Sequence, residues 1–455
     1  MPTPHPASYR DPSGFVFERN GELFRQVNPS FRQHFDHFIQ SGCYDHFVKN
    51  KWIIAHEIAD AAPANGAYLV IKPERIAFIS YPWEWCFGSL KDAALLTLRL
   101  ARTAMDFGLM IKDATPFNVQ FHHGRMTFID TLSFEIYDET KPWIAYRQFC
   151  EMFLGPLLLM HYKRSPLQQL MLAWPEGIPL SLTARFLPWR SKFSFFTYLH
   201  IHLHNRIDRK QRQPAGRTAP FSKKKMQNLL NSLEQLVASL RLPAAKTAWS
   251  DYYDEASLRN DYVPQKKAII ESWLKQLPSV RSAMDAGANT GEFSKILASH
   301  QIQTISTDQD PYCIEALYRK LKPDQQALIT PLIIDLSNPS PATGLNNAER
   351  SSFLSRAKTD LVLALALVHH LAIGKNIPLE KMAALFSGLS KYLLIEFVPR
   401  EDEKVQSMLQ TKKDIYDSYT EPAFISAFEK HFRIIERKAI PGSQRTMFLM
   451  TAHAE

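Results

Sequence analysis

The chain has 455 residues, of which 45% are hydrophobic, 12% aromatic and 22% charged, so it can bury large cores and is neither disordered throughout nor a fibrous repeat. At roughly 150 residues per domain, this length implies two or three domains. Lys and Arg number 54 against 45 Asp and Glu, and the formal excess of +9 matters only where it is concentrated.

Residues 1–12 read as a Pro-rich flexible tail, and 13–188 as an α+β module. In the run from Gly14 to Val27, Asn20-Gly21 separates two apolar-rich arms; the pair tolerates positive φ at both positions, which predicts a tight hairpin. Phe31, Phe35 and Phe38 recur at helical spacing, as do Ala94, Leu98, Ala101 and Met105. The spacing predicts a helix over Leu90–Phe107 after a strand at Ile76–Pro82, and a short hairpin turning at His123-Gly124. Residues 189–248 read as a basic helical connector. Between Arg185 and Lys246, 13 Lys and Arg face only Asp208 and Glu234, a docking surface for an anionic partner or a solvated face. No aromatic or Gly-rich RNA-reading motif is interleaved with those charges. His200, His202 and His204 would share a face on a strand, but they diverge on a helix, and their flanks look helical.

Residues 249–455 alternate strands and helices as a doubly wound parallel sheet does. Strands are expected at Val280–Met284, Ile302–Ser306, Leu328–Ile334, Leu361–Leu367 and Tyr392–Phe397. A terminal antiparallel hairpin of Arg433–Lys438 and Met447–Thr451 turns at Pro441-Gly442.

The sharpest motif is A-M-D-A-G-A-N-T-G-E-F, Ala283 to Phe293. A strand ending at Asp285, a turn through Gly287, Asn289 and Gly291, and a helix opening at Glu292 let a ligand press on backbone and meet free N–H groups. The dinucleotide pattern G-x-G-x-x-G is not met. The order D-x-G-x-N-x-G resembles motif I of the class I S-adenosylmethionine (SAM)-dependent methyltransferases, with Asn289 in place of that family's middle Gly. The resemblance covers about 200 residues and implies a seven-stranded Rossmann-like sheet that binds SAM. Asp308 ends the second strand 21 residues after Gly287, where an acid accepts ribose hydroxyls. Asp335 and Leu336 follow the third strand, where the family meets the adenine. SAM contacts are thus implied for Asp285, Gly287, Asn289, Gly291, Asp308, Asp335 and Leu336. The fourth strand leads to Val368-His369-His370-Leu371, without the [N/D]-P-P-[Y/F] turn usual in the family's nitrogen methylators. His369 or His370 is a candidate base because imidazole titrates near working pH, and Glu396, ending the fifth strand, is a further acceptor-facing candidate. The aromatic stretch Trp249–Tyr262 is a candidate lid.

The segment I-K-D-A-T-P-F-N-V-Q-F, Ile111 to Phe121, followed by Asp130, resembles the catalytic and metal-binding loops of protein-kinase-like and aminoglycoside-phosphotransferase-like enzymes. The resemblance implies Asn118 and Asp130 as magnesium ligands for Mg-ATP, with Asp113 as base, if that site is active. His-Arg and Asp-Phe-Gly are replaced by Ile111-Lys112 and Asp130-Thr131-Leu132, the glycine-rich loop is absent, and either Arg25 or Lys72 stands in for the lysine. A docking or regulatory module is therefore preferred.

Four cysteines, Cys43, Cys86, Cys150 and Cys313, lie far apart without a C-x-x-C pair, which fits a reducing cytosol. No secretory signal is expected, and the longest apolar stretch, Phe153–Met160, is far short of the roughly 20 residues a span needs. The expectation is a cytoplasmic protein, without membrane insertion, that moves methyl from SAM to oxygen or nitrogen, with oxygen on a small molecule or sugar preferred. Its alternatives are a bifunctional phosphotransferase–methyltransferase, an RNA methyltransferase using the connector, and a non-catalytic SAM-binding scaffold.

Overall fold

A computed structural model describes residues 4–59, 66–206, 221–243, 262–324, 327–410, 412–413 and 415–453. The chain divides into two compact units, residues 1–243 with 342–350, and residues 244–341 with 351–455. Among the described residues, no helix is long and apolar enough to cross a membrane.

In the first unit, Gly14–Arg19 (β1) and Glu22–Val27 (β2) form the expected hairpin, with Asn20 at φ 55° and Gly21 at φ 78°. His56–Ile58 (β3) and Leu69–Pro73 (β4) complete an antiparallel sheet in the order β1-β2-β4-β3. Helix Arg32–Gln40 drives Phe35 into a core with Val27, Ile71 and Leu132. The helix expected from Leu90 runs from Phe87 to Ala104, because Cys86 is extended and opens it a turn earlier. Among the described residues, the strand expected at Ile76–Pro82 belongs to no sheet: it is irregular chain that bends at Ala77 and enters a 3-10 turn at Pro82. Within it the Ser80 backbone is bonded by the Gln120 side chain, whose oxygen accepts from the Ser80 amide at 2.9 Å and whose nitrogen donates to the Ser80 carbonyl at 3.0 Å.

Leu109–Ile111 (β5) pairs with Phe134–Ile136 (β8), and between them Val119–His122 (β6) and Arg125–Phe128 (β7) form the expected hairpin, with His123 at φ 45° and Gly124 at φ 76°. Helix Lys223–Ser239, assigned from sequence to the connector, packs as part of this unit. Met226, Leu230, Leu233 and Val237 are buried, while Arg102 pairs with Glu234 at 2.7 Å and Lys91 donates to the carbonyl of Ala238 at 2.7 Å. An amphipathic stripe this long must be covered, which a free connector would not achieve. Residues 207–220 and 244–248 of that segment lie outside the described residues.

The second unit holds a seven-stranded sheet of Ser282–Ala286 (β9), Gln303–Asp308 (β10), Ile329–Ile333 (β11), Thr359–Ala364 (β12), Ser390–Phe397 (β13), Phe432–Ala439 (β14) and Thr446–Ala452 (β15). Its order is β11-β10-β9-β12-β13-β15-β14, and β15 alone runs antiparallel. The inner strands are buried over most of their length, as strands covered on both faces are, even where β10 reads Q-T-I-S-T-D. The chain winds outward from β9 to β11 and then returns to lay β12 on the other side of β9. That reversal opens a crevice beyond the carboxyl ends of β9 and β12, where ligands of doubly wound sheets bind.

Two glycines after β9 have different work. A Cβ on Gly291 (φ 80°) would lie 2.4 Å from Leu317 Cδ1, so this turn needs a bare backbone to seat against helix Pro311–Asp324. A Cβ on Gly287 (φ 83°) meets nothing closer than Leu367 Cδ1 at 3.7 Å. Gly291→Ala is therefore expected to destabilise this unit by about 2–4 kcal/mol, overpacking adding to left-handed strain, and Gly287→Ala by about 1–2 kcal/mol. Thermal denaturation of both variants checks the order, and equal losses would contradict it.

Candidate functional site

The crevice is a cleft of about 990 Å³, counting the space open to solvent at its mouth. Gly287 and Asn289 line it from the turn after β9, Thr307 to Gln309 from the end of β10, and Ile334 to Leu336 from beyond β11. Leu365 to Leu367, His370, Leu371 and Lys375 close it beyond β12, and Tyr262, Val263, Lys266 and Phe293 close it from two helices.

The backbone dictates this convergence. The amides of Gly287 and Ala288 both donate to the carbonyl of Thr307 at 2.9 Å, clipping the turn onto β10. Asp308 then caps the turn: its carboxylate accepts from the amides of Asn289 at 2.9 Å and Asp310 at 2.8 Å. Asn289 sits at φ 50°, a conformation Asn tolerates, so Asn serves here in place of Gly. Burial raises Asp308 to about 6, against the pull of those two amides.

The other expected cofactor residues divide into two groups. Asp335 lines the cleft; its carboxylate accepts from the Ser337 amide at 2.9 Å and hydroxyl at 2.6 Å, and pairs with Lys375 at 3.2 Å. Burial would raise it, but Ser337 and Lys375 outweigh burial and hold it below the usual carboxylate range. Leu336 supplies an apolar wall. Asp285 and Gly291 do not line the cleft. Asp285 is buried beneath it and accepts from Ser294 at 2.6 Å, which fixes the first turn of helix Glu292–Ser299. Burial pushes Asp285 up to about 7, partly offset by Ser294.

Of the candidate bases, His370 lines the cleft and His369 does not. Burial lowers His370 to about 4 and His369 well below its ordinary value, with the neighbouring cations Arg445 and, for His369, Lys266 adding to the effect. The expectation of an imidazole titrating near working pH is thus corrected, since both rings are neutral there. Glu396 is also corrected. It is fully buried and does not reach the cleft, being held between Lys266 at 2.7 Å and Arg445 at 3.4 Å, with Arg445 pairing onward to Asp402 at 2.7 Å. Glu396 accepts in addition from the amide of Ala366 at 2.8 Å. Ala366 stands at φ 49°, a strained value for a residue with a Cβ, on the wall of the cleft. The buried carboxylate thereby holds the loop after β12 in shape.

Sequence reasoning missed Lys266, Phe293 and Lys375. A signal for Lys266 was present: with Ile270, Trp273 and Leu274 it lies at i, i+4, i+7 and i+8, on the buried face of helix Tyr262–Leu274. Of the aromatic stretch proposed as a lid, Trp249 to Asp261 lie outside the described residues; Tyr262 lines the cleft, its ring centroid 5.0 Å from Lys266 Nζ.

In the first unit, Asp113, Asn118 and Asp130 are brought together. The Asn118 amide donates to the Asp113 carbonyl at 3.4 Å and to Ser133 Oγ at 3.2 Å, and Gln148 donates to the Asp113 carboxylate at 2.6 Å. Burial raises Asp113, and the charge of Asp130 adds to that. Arg25, of the two residues considered for the lysine's place, reaches Asp130 at 2.5 Å, while Lys72 pairs with Glu22. Asp130 also accepts from the Leu132 amide at 3.1 Å and the Ser133 hydroxyl at 2.6 Å. Further along, Arg185, Arg190 and Lys192 stand exposed beside exposed Trp189, Phe193 and Phe195.

No protein-family model matches the chain. Nodulation protein NoeA of Rhizobium meliloti (strain 1021) is 32% identical over 463 residues, spanning 97% of this chain and 94% of that protein. Among solved structures, the bifunctional kinase-methyltransferase WbdD is 15% identical, covering 48% of this chain and 46% of that one, with a TM-score of 0.32. The chain thus spans under half of WbdD's length. The N-methyltransferase NodS from Bradyrhizobium japonicum WM9 is 12% identical over 43% of this chain and 99% of that one, with a TM-score of 0.32.

Proposed function

The chain belongs to the family of nodulation protein NoeA, and on that premise we propose that it is a SAM-dependent methyltransferase by its C-terminal unit and moves the methyl group to an oxygen of a small molecule or sugar. The observation that carries the cofactor reading is the placement of Asp308 and Gly287 side by side at the switch point. Asp308 lines the cleft, and the glycine keeps the space beside it open. SAM supplies a sulfonium-bound methyl, and the residues present fit it. Asp308 would accept the ribose hydroxyls, Asp335 and Leu336 would meet the nucleobase, and Asn289 and Gly287 would offer backbone to the methionine part. Asp285 and Gly291 would act from beneath as positioning residues.

The acceptor would enter against Ala366, Leu367, His370 and Leu371. Alignment of acceptor and methyl accounts for most of what such a transfer requires. Neutral His370 is in the proton-accepting form at working pH and can take the proton an oxygen loses, though burial makes it a weak base. Absence of an [N/D]-P-P-[Y/F] turn after β12 favours oxygen over nitrogen. For the first unit, docking or regulation is preferred over phosphotransfer, because a guanidinium stands on Asp130 where Mg-ATP would need a free carboxylate. Its basic, aromatic surface at Arg185–Phe195 is where an anionic partner would bind.

The test supplies ¹³C-methyl SAM and fractionated small-molecule and glycan extracts to the full chain, with Mg-ATP titrated in parallel. The expected result is a labelled O-methyl product, distinguished from N-methyl by its carbon shift, and no Mg-ATP binding. Label on nitrogen would overturn the acceptor class, and SAM binding without a product from any fraction would favour the scaffold.

A further inference from the structure

A second cluster of ligand-type side chains lies in the first unit, outside the cleft. Glu74 follows β4, and His122 and His123 form the tip of the β6–β7 hairpin. Both imidazole Nε2 atoms lie 3.1 Å from the same Glu74 Oε1, and one donor atom from each residue falls within 4.8 Å of the others. Adjacent residues in an extended strand point to opposite faces. Here, φ 45° at His123 swings its ring back beside that of His122, with centroids 3.9 Å apart.

We propose that Glu74, His122 and His123 bind one divalent transition-metal ion of the zinc type, which ties the hairpin tip to the end of β4. The geometry suits the chemistry. Bonds of about 2.0–2.1 Å at angles of 90–110° separate two ligand atoms by about 2.9–3.4 Å, which the two imidazole–carboxylate contacts of 3.1 Å meet, while the two imidazoles lie within 4.8 Å of each other and would close on the ion. Two imidazoles and one carboxylate are a donor set that zinc, nickel and copper accept, whereas magnesium and calcium prefer oxygen. His123 and Glu74 are 60% and 48% exposed, leaving room for water in the remaining coordination positions, while His122, at 12%, anchors the site. The hairpin joins Asn118 to Asp130, so the metal would stiffen the connection between the two candidate phosphate-site residues.

The test is calorimetric titration of the full chain with zinc chloride at pH 7.5, with Co²⁺ absorption as a second readout. His123→Asn keeps a residue that tolerates the left-handed backbone, and Glu74→Gln keeps the side-chain shape, so both variants should fold; melting temperatures in chelator check this. One zinc per chain with micromolar affinity, weakened at least tenfold in each variant, and a cobalt visible band lost in both, is the expected result. No binding by wild type, or binding that either folded variant leaves unchanged, overturns the proposal.

Discussion

Asp308→Ala is expected to weaken SAM binding at least about 100-fold, roughly 3 kcal/mol, because two hydroxyls would lose a charged acceptor. Isothermal titration of wild type and variant measures it, and a variant within threefold of wild type would remove Asp308 from the site. The same carboxyl predicts a pH dependence. Burial raises it to about 6, so it is partly protonated in the free protein on mild acidification. The ionised fraction falls about fourfold between pH 7.5 and 5.5, and affinity should fall about as much. Folding responds with the opposite sign. Asp308 and Asp285 both have folded values above the ordinary 3.8, so the free protein gains from them below about pH 4 and loses that gain as pH rises through 6 and 7.

Glu396→Ala is expected to destabilise the C-terminal unit by about 3–5 kcal/mol, since Lys266 and Arg445 would keep buried charges without their shared carboxylate. In a unit of about 200 residues this lowers the melting temperature by roughly 10 °C. Lys266→Met combined with Glu396→Leu should recover part of the loss, because Arg445 retains Asp402. Thermal denaturation followed by tryptophan fluorescence checks both, and a single variant melting within 2 °C of wild type would show the network to be energetically idle. Loss of the Glu396 contact also frees the Ala366 amide, so the acceptor wall should loosen even where the fold survives.

Much of the C-terminal unit was legible because its signals are local. Apolar runs mark β11 to β13 and Asp308 falls at the expected strand end, and in the first unit the turn pairs Asn20-Gly21 and His123-Gly124 announce their positive φ by residue type. The strand expected at Ile76–Pro82 joins no sheet among the described residues, and a glutamine 40 residues away bonds the backbone of its Ser80, a partner no local pattern announces. Helix Lys223–Ser239 was seen as basic, whereas its buried stripe decides where it lies.

By itself the sequence determined the elements, the glycine turn and the three strand-end acids, since dihedral preference and hydrophobic period are written in neighbouring residues. Only the tertiary structure decided which of those acids face the cleft, that Glu396 lies beneath it, that both His369 and His370 are neutral, and that Arg25 stands on Asp130. Burial and charge pairing depend on what the folded chain brings up from far away, and no local pattern encodes them.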